Sequence, residues 1–223
     1  DLRYPAEHFD AILQLWYPGA RGGRSAAQIL FGAVSPSGKL PVTFYEDSDR
    51  LPEFVDYRMA GRTYRFLEER AQYPFGFGLT YGDVVVTEAR VCEVKKEGER
   101  RRERAESGYK VSVKATVRNQ GGCDTDDVIQ IYIKNRDSEY AVKNPELCAF
   151  KRVHLKSGEV REVTLQIGHK AFTVVNHAGE RILDGVHYDL YAGTFQPDKR
   201  SVKLMGRETV RMELDLGKTG DIC

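Results

Sequence analysis

The sequence holds 223 residues, enough for one large domain or two ordinary ones with room for a real core. Its 34 lysines and arginines against 33 aspartates and glutamates leave a formal net charge of +1, so no global field draws it to nucleic acid or an anionic membrane. No run of 18 apolar residues occurs, and Asp1 to Asp10 lacks the basic-then-apolar layout of a signal peptide, so the chain as it stands is expected to be soluble.

In chain order, "FDAILQLWYPG" is a short apolar run ending at Pro18 and Gly19, which predicts a buried strand. "GGRSAAQILFG" comes next, and its Ala26, Ala27, Ile29 and Leu30 before Gly32 predict a helix opened and closed by glycines. "SPSGKLPVTFY" then turns on Pro36 and Gly38 into a predicted strand from Leu40 to Tyr45. Strand, helix, strand is α/β grammar. One such unit cannot cover both faces of a parallel sheet, so this part reads as an incomplete layer.

The next stretch, "GRTYRFLEERAQYPFGFGLTYG", packs two glycine-flanked aromatic clusters between Gly61 and Gly82. Gly61, Gly76, Gly78 and Gly82 let the backbone turn and approach other chain closely. Tyr64, Phe66, Tyr73, Phe75 and Phe77 supply large apolar faces, and Arg62 and Arg65 supply several donors each. Five aromatics this close together bury one another first, which predicts a strap joining the α/β layer to the second half of the chain. The competing reading is a carbohydrate platform, because aromatic faces also stack on sugar rings.

From about Tyr81 to Leu216 the period changes to two. In "YKVSVKATVRN" the side chains of Tyr109, Val111, Val113, Ala115 and Val117 fall on one face and Lys110, Ser112, Lys114, Thr116 and Arg118 on the other. After the turn-forming "NQGGCDTDD", Ile129, Ile131 and Ile133 alternate with Gln130, Tyr132 and Lys134. Further short runs occur at "FKRVHL", "VREVTLQI", "AFTVVN", "GERIL", "HYDLYAG" and "ETVRMELDL", separated by turn residues, and together they predict a β-sandwich. The charged run "KKEGERRRERAE" from Lys95 to Glu106 interleaves acids with its basic residues and has no aromatic to stack on bases. It predicts a solvated loop between two strands and not an RNA-binding arm.

Cys92, Cys123, Cys148 and Cys223 are too few and too scattered for a disulfide framework, so plain thiols are expected, with a Cys123–Cys148 bridge left open. His8, His154, His169, His177 and His187 are dispersed, so no metal site is predicted. "PSGK" at Pro36 to Lys39 lacks the glycines of a phosphate loop, and no Ser, His and Asp set shows motif context, so no cofactor is predicted either.

"AILQLWYPGARGGRSAAQILFGAVSPSGKLPVTFY", "GRTYRF", "YPFGFGLTY", "VRNQGGCDTDDVIQIYIK" and "ELCAFKRVHLKSGEVREVTLQI" occur in the same order as in the C-terminal part of glycoside hydrolase family 3. The resemblance runs from about Ala11 to about Leu204, and "GRTYRF" resembles the branch with many β-xylosidases and a set of bacterial β-glucosidases. Departures are Ala20 and Arg21, and Gly82 and Asp83 after Tyr81, all in connecting segments.

The resemblance implies a three-part enzyme: a (β/α)8-type barrel, an α/β sandwich and a fibronectin type III-like domain. This sequence resembles the last strands of the second part and all of the third. The implied fold class is therefore mixed, a partial α/β sandwich layer followed by an all-β fibronectin type III-like, immunoglobulin-like β-sandwich. The implied division is 1–60 for the α/β portion, 61–82 for an interdomain strap, 83–217 for the fibronectin type III-like domain and 218–223 for a tail.

The implied activity is retaining hydrolysis of terminal β-D-glucosyl or β-D-xylosyl residues, which needs two carboxyl groups roughly 5 Å apart. The family's nucleophilic aspartate lies on the barrel and its acid/base glutamate on the α/β sandwich, and neither has a matching motif here. The chain alone is thus expected to carry no catalytic residue, cofactor or metal, and to be inactive. Its partner would be the barrel-bearing catalytic part, as a separate chain or a missing segment, with carbohydrate reached through that part and no nucleic acid or membrane involved. Any export signal would lie upstream.

The residues expected to make the interdomain contact are Arg62, Tyr64, Arg65, Phe66, Phe75 and Phe77, while Asp56 and Tyr57 are the least implausible substrate neighbours. A stand-alone carbohydrate- or protein-binding module is the alternative. It would display an exposed aromatic row drawn from Tyr132, Tyr140, Tyr188 and Tyr191.

Overall fold

The computed structural model describes residues 2–46, 49, 51–68, 71–97, 108–218 and 220–221. The first part carries α1 (Arg3–His8), α2 (Gly22–Leu30), the two-residue strand β1 (Phe44–Tyr45), the single turn α3 (Thr63–Phe66) and β2 (Ala71–Tyr73). Only β1 and β2 pair there among the described residues, antiparallel, with Phe44 opposite Tyr73 and Tyr45 opposite Ala71.

The second part is a sandwich built from β3 (Val84–Glu97), β4 (Gly108–Asn119), β5 (Thr125–Asn135), β6 (Glu146–Leu155), β7 (Val160–Ile167), β8 (Thr173–Val175), β9 (Arg181–Leu183), β10 (His187–Gly193), β11 (Val210–Asp215) and β12 (Gly220–Asp221). Among the described residues one sheet runs β11-β10-β5-β6 and the other β12-β3-β4-β7, with β8 and β9 as a separate hairpin. Every pairing is antiparallel.

The period-two pattern decides the core. Val111, Val113, Ala115 and Val117 of β4 and Ile129 and Ile131 of β5 are fully buried, as are Leu155, Ile167, Phe172 and Leu190 from neighbouring elements. These residues belong to one continuous cluster between the sheets. The "NQGG" turn is set by Asn119, whose buried Nδ2 donates to Cys123 O (2.8 Å) and Leu155 O (3.2 Å). Its Oδ1 accepts from the N–H groups of Asp83 and Gly121, so the amide is fully spent.

Several expectations are corrected. "AILQLW" forms no strand, and Ile12, Leu13, Leu15 and Trp16 are all exposed. A strand persists only where a neighbour takes its hydrogen bonds, and no described segment pairs with this one, although the Trp16 ring lies 6.2 Å from that of Phe44. The strand expected from Leu40 to Tyr45 shrinks to Phe44–Tyr45. The helix expected in "GGRSAAQILFG" forms as α2, but none of its residues is buried. No described residue from 2 to 68 is buried as a whole, although the side chain of Lys39 is nearly so.

In the sandwich, β3 is a long strand that the sequence pattern did not separate, and α4 (Lys199–Met205) is a helix it did not foresee. The signals for α4 are present: Asp198 caps the N-terminus, accepting from the N–H groups of Arg200 (2.8 Å) and Ser201 (3.0 Å). Gly206 closes the helix at φ 66°, in the left-handed region. Cys123 and Cys148 are unpaired thiols, while Cys92 is disulfide-bonded, against the expectation of plain thiols throughout. Of the charged run expected as a loop, Lys95 to Glu97 instead end β3, and residues 98–106 lie outside the described residues. No helix among the described residues is long and apolar enough to cross a membrane.

Candidate functional site

Of the residues expected at the interdomain contact, Tyr64, Arg65 and Phe75 lie in a seam where residues 35–82 meet β5 and β6. Tyr64 stands at its centre. Its ring stacks on Phe75 at 4.1 Å between centroids and meets Tyr132 of β5 edge-on at 6.4 Å. Its hydroxyl accepts from Leu147 N–H at the start of β6 (3.1 Å). Asn144 clamps the α3 turn from the other side, donating through Nδ2 to Tyr64 O (2.8 Å) and Leu67 O (2.9 Å) and through its backbone N–H to Arg65 O (3.0 Å). Arg65 pairs with Glu146 at 3.1 Å, in a half-open position where screening keeps such a pair weak.

The glycine-rich loop docks next to this. Gly76 sits at φ 77°, and a Cβ there would lie 2.4 Å from the Tyr132 hydroxyl and 2.6 Å from Gln130 Oε1. Gln130 Nε2 donates to Gly76 O (3.0 Å) and Thr194 O (2.9 Å), and Tyr132 donates its hydroxyl proton to Gln130 Oε1 (2.6 Å). Backbone bonds from Leu40 N–H to Phe77 O (2.9 Å) and from Gly76 N–H to Leu40 O (2.8 Å) tie the loop to residues 38–40. A Cβ on Gly78 would lie 2.3 Å from Gly38 O. Phe77 is buried and stacks against Tyr73 at 5.8 Å, and Phe66 is half-buried.

Arg62 plays a different part from its expected one. Its guanidinium donates to Arg58 O (3.1 Å), Glu53 O (3.1 Å) and Asp56 O, all within its own loop. Asp56 in turn accepts from Arg58 through both carboxylate oxygens, and this pairing holds its carboxyl down at about 2. Thr63 N–H donates to the Tyr45 hydroxyl (3.0 Å), which fastens the loop's end to β1.

Sequence reasoning missed the buried charge pair at the seam. Lys39 and Asp127 meet at 2.8 Å, and Lys39 also donates to Gly78 O (2.7 Å). Burial raises the Asp127 carboxyl and the attraction of Lys39 lowers it, with burial the larger effect. The signal was available: Asp127 shares the odd-numbered phase of Ile129, Ile131 and Ile133, and a carboxylate in an apolar phase demands a partner. Arg207 closes the far end, reaching Asp83 (2.5 Å) and Val84 O (3.0 Å).

The tyrosines offered as an exposed binding row do not form one. Tyr132 and Tyr188 are fully buried, and the Tyr188 hydroxyl donates to Phe172 O (2.9 Å). The outer face of β5 is already occupied by the Gly76 loop, which the alternation of one strand cannot reveal. A cleft of about 590 Å³ opens where Tyr64 and Pro74 face Asn144 and Gln196.

Residues 2–81 match the glycosyl hydrolase family 3 C-terminal domain, and residues 127–196 match the fibronectin type III-like domain. A xylan 1,4-beta-xylosidase from Xylanibacter ruminicola is 36% identical over 206 residues, which are 91% of this chain and 22% of that protein. A periplasmic beta-glucosidase from Salmonella typhimurium is 28% identical over 200 residues, 83% of this chain and 24% of that protein. The crystal structure of a beta-glucosidase from Listeria innocua in complex with glucose superposes with a TM-score of 0.70 at 27% identity, covering 96% of this chain and 29% of the other. The chain thus spans about a quarter of the length of the curated relatives it matches. With a family 3 C-terminal domain leading into a fibronectin type III-like sandwich, the chain belongs to the C-terminal region of glycosyl hydrolase family 3.

Proposed function

We propose that this chain is the structural C-terminal part of a retaining β-glycosidase acting on terminal β-D-glucosyl or β-D-xylosyl residues, and that it supports a barrel-bearing catalytic part. The observation that carries this is a contrast. The sandwich has a closed core, yet no described hydrophobic residue from 2 to 68 is buried, while Tyr4, Phe9, Trp16, Leu30 and Phe31 stand exposed. An apolar layer left exposed beside a finished domain is a surface made to be covered. The names of its relatives supply the chemistry of what would cover it, since they are β-xylosidases and β-glucosidases about four times its length.

In this reading residues 1–60 are the end of the α/β sandwich, 61–82 the interdomain strap, 83–217 the fibronectin type III-like domain and 218–223 the tail. Tyr64, Arg65, Phe66, Phe75 and Phe77 fix the angle between layer and sandwich, and Arg62 shapes the loop leading into the strap. The two carboxyl groups of the reaction, which a retaining mechanism sets roughly 5 Å apart, come from the catalytic part. The best-placed acid of this chain, Asp56, is committed to Arg58.

The test is reconstitution. Adding a barrel-bearing family 3 polypeptide to the folded chain is expected to restore hydrolysis of aryl β-glucosides or β-xylosides. Folded components that associate but never turn over either substrate would refute the proposal.

A further inference from the structure

We infer that the cleft between the strap and α4 is a docking groove for an extended, acidic peptide segment of the catalytic part. The inference rests on the glycosidase reading above and adds to it where a segment from outside this chain is held and by what chemistry.

The cleft, of about 590 Å³, has flat apolar walls: Tyr64, Leu67 and Pro74 of the first part face Pro145 and Pro197 of the sandwich. Most of the polar side chains around it are already committed. Asn144 is spent on Tyr64 O and Leu67 O, and the Arg200 guanidinium on Gln72 O (3.1 and 3.2 Å). Asp198 caps α4, and Glu68 pairs with Lys143 at 2.6 Å.

Three features are left over. Gln196 lines the cleft and is only 5% exposed, yet its Oε1 accepts no hydrogen bond among the described residues. The shielded hydroxyl of Thr43, also on the cleft wall, is in the same condition. Buried polar atoms are normally paired, so this wall carries a penalty that a donor arriving in the cleft would relieve. At the mouth, Lys199 and Lys203 stand exposed, four positions apart and so on one face of α4, and neither pairs with a described carboxylate.

Together these features ask for one kind of occupant. A carboxamide offers an acceptor and a donor side by side, which matches the N–H and C=O that one residue of an extended strand presents to the same side. The two lysines call for carboxylates, and proline and tyrosine faces suit an extended backbone laid against them. An acidic extended peptide meets all of these demands, whereas a neutral ligand would leave both lysines unanswered. The relatives are about four times as long as this chain, so the catalytic part has ample sequence from which to supply the segment.

Fluorescence anisotropy of the whole 223-residue chain against overlapping short peptides, tiling the rest of the 36%-identical β-xylosidase, tests this without needing catalysis. Binding is expected from acidic tiles and not from neutral or basic ones. The double variant Lys199→Glu, Lys203→Glu is expected to weaken it roughly tenfold, and high salt should erase most of that difference. Gln196→Met keeps the bulk of the side chain and removes the unpaired amide. It is expected to weaken the peptide roughly threefold to tenfold, while the free chain melts at the same or a higher temperature. Near-ultraviolet circular dichroism of each variant confirms that the fold is kept. No binding by any tile, binding without regard to charge, or unchanged affinity in these variants would overturn the inference. A Gln196→Met chain that melts lower with its peptide affinity intact would show the amide serving the fold, and would also overturn it. Displacement by free acetate as effective as by unlabelled peptide would assign a small-anion site and refute the groove. If a reconstituted enzyme hydrolyses nothing, the proposed function fails while the peptide titration still decides the groove.

Discussion

Lys39 and Asp127 meet at 2.8 Å with side chains only 8% and 4% exposed, so a turn of the first part and a central strand of the sandwich share one buried ion pair. Burial raises the Asp127 carboxyl while Lys39 lowers it, and the desolvation cost of such a buried pair offsets much of its mutual attraction. Removing one partner strands the other charge in the seam. Asp127→Asn and Lys39→Met are each expected to destabilise the chain by about 3–5 kcal/mol, and the combined Lys39→Met, Asp127→Leu variant to recover most of that loss. Urea denaturation of the three variants measures it, and a double variant no better than the singles would refute the coupling.

Gly78 and Gly76 set how closely the strap approaches its neighbours. A Cβ at Gly78 meets the backbone oxygen of Gly38, which has no flexible side chain to move aside. Gly78→Ala is expected to detach residues 2–60 from the sandwich and expose them to protease, while the sandwich stays resistant. Gly76→Ala adds a left-handed φ to its clash with Tyr132 and should cost about 1–3 kcal/mol. Limited proteolysis coupled to mass spectrometry reads both, and a Gly78→Ala digest identical to the parent's would contradict the assignment.

Asn144 holds α3 through Tyr64 O and Leu67 O. Asn144→Ala leaves both carbonyls without their side-chain donor, at a cost of about 1–2 kcal/mol. Faster amide hydrogen exchange is expected from Thr63 to Leu67 but not in β4, whose bonds lie within its own sheet. Uniform exchange changes across both regions would argue against a local clamp.

Asp137 gives the clearest acid response. The backbone N–H groups of His187 and Val186 hold its carboxyl at about 2, below the unfolded value of 3.8, and His187 adds a smaller effect. A lowered carboxyl contributes stability above the unfolded value, and that contribution fades as pH falls from 3.8 through about 2. Asp137→Asn is expected to flatten that part of the acid limb and to leave the neutral baseline shape alone. Acid titration monitored by circular dichroism checks this, and superimposable parent and variant curves would sink it.

The uncovered layer predicts association. With Tyr4, Phe9, Trp16, Leu30 and Phe31 exposed together, the isolated chain should self-associate or bind a second polypeptide through more than about 1,200 Å². Light scattering that finds a monodisperse monomer with an ordered first part would be the contrary result.

The sandwich was legible because its code is local. Alternation at Val111 to Val117 and Ile129 to Ile133 names a buried face without reference to any partner, and the turn at Asn119 punctuates it. The family was legible for the same reason, since its motifs are contiguous. What the tertiary structure decided was every fact that depends on a neighbour. "AILQLW" has the composition of a strand, but pairing is a property of two segments, and no described segment pairs with it. Gln130 and Tyr132 occupy the polar phase of β5 and are buried only because the Gly76 loop lies over them. Lys39 and Asp127 are 88 positions apart, and only folding brings their charges together where water cannot screen them.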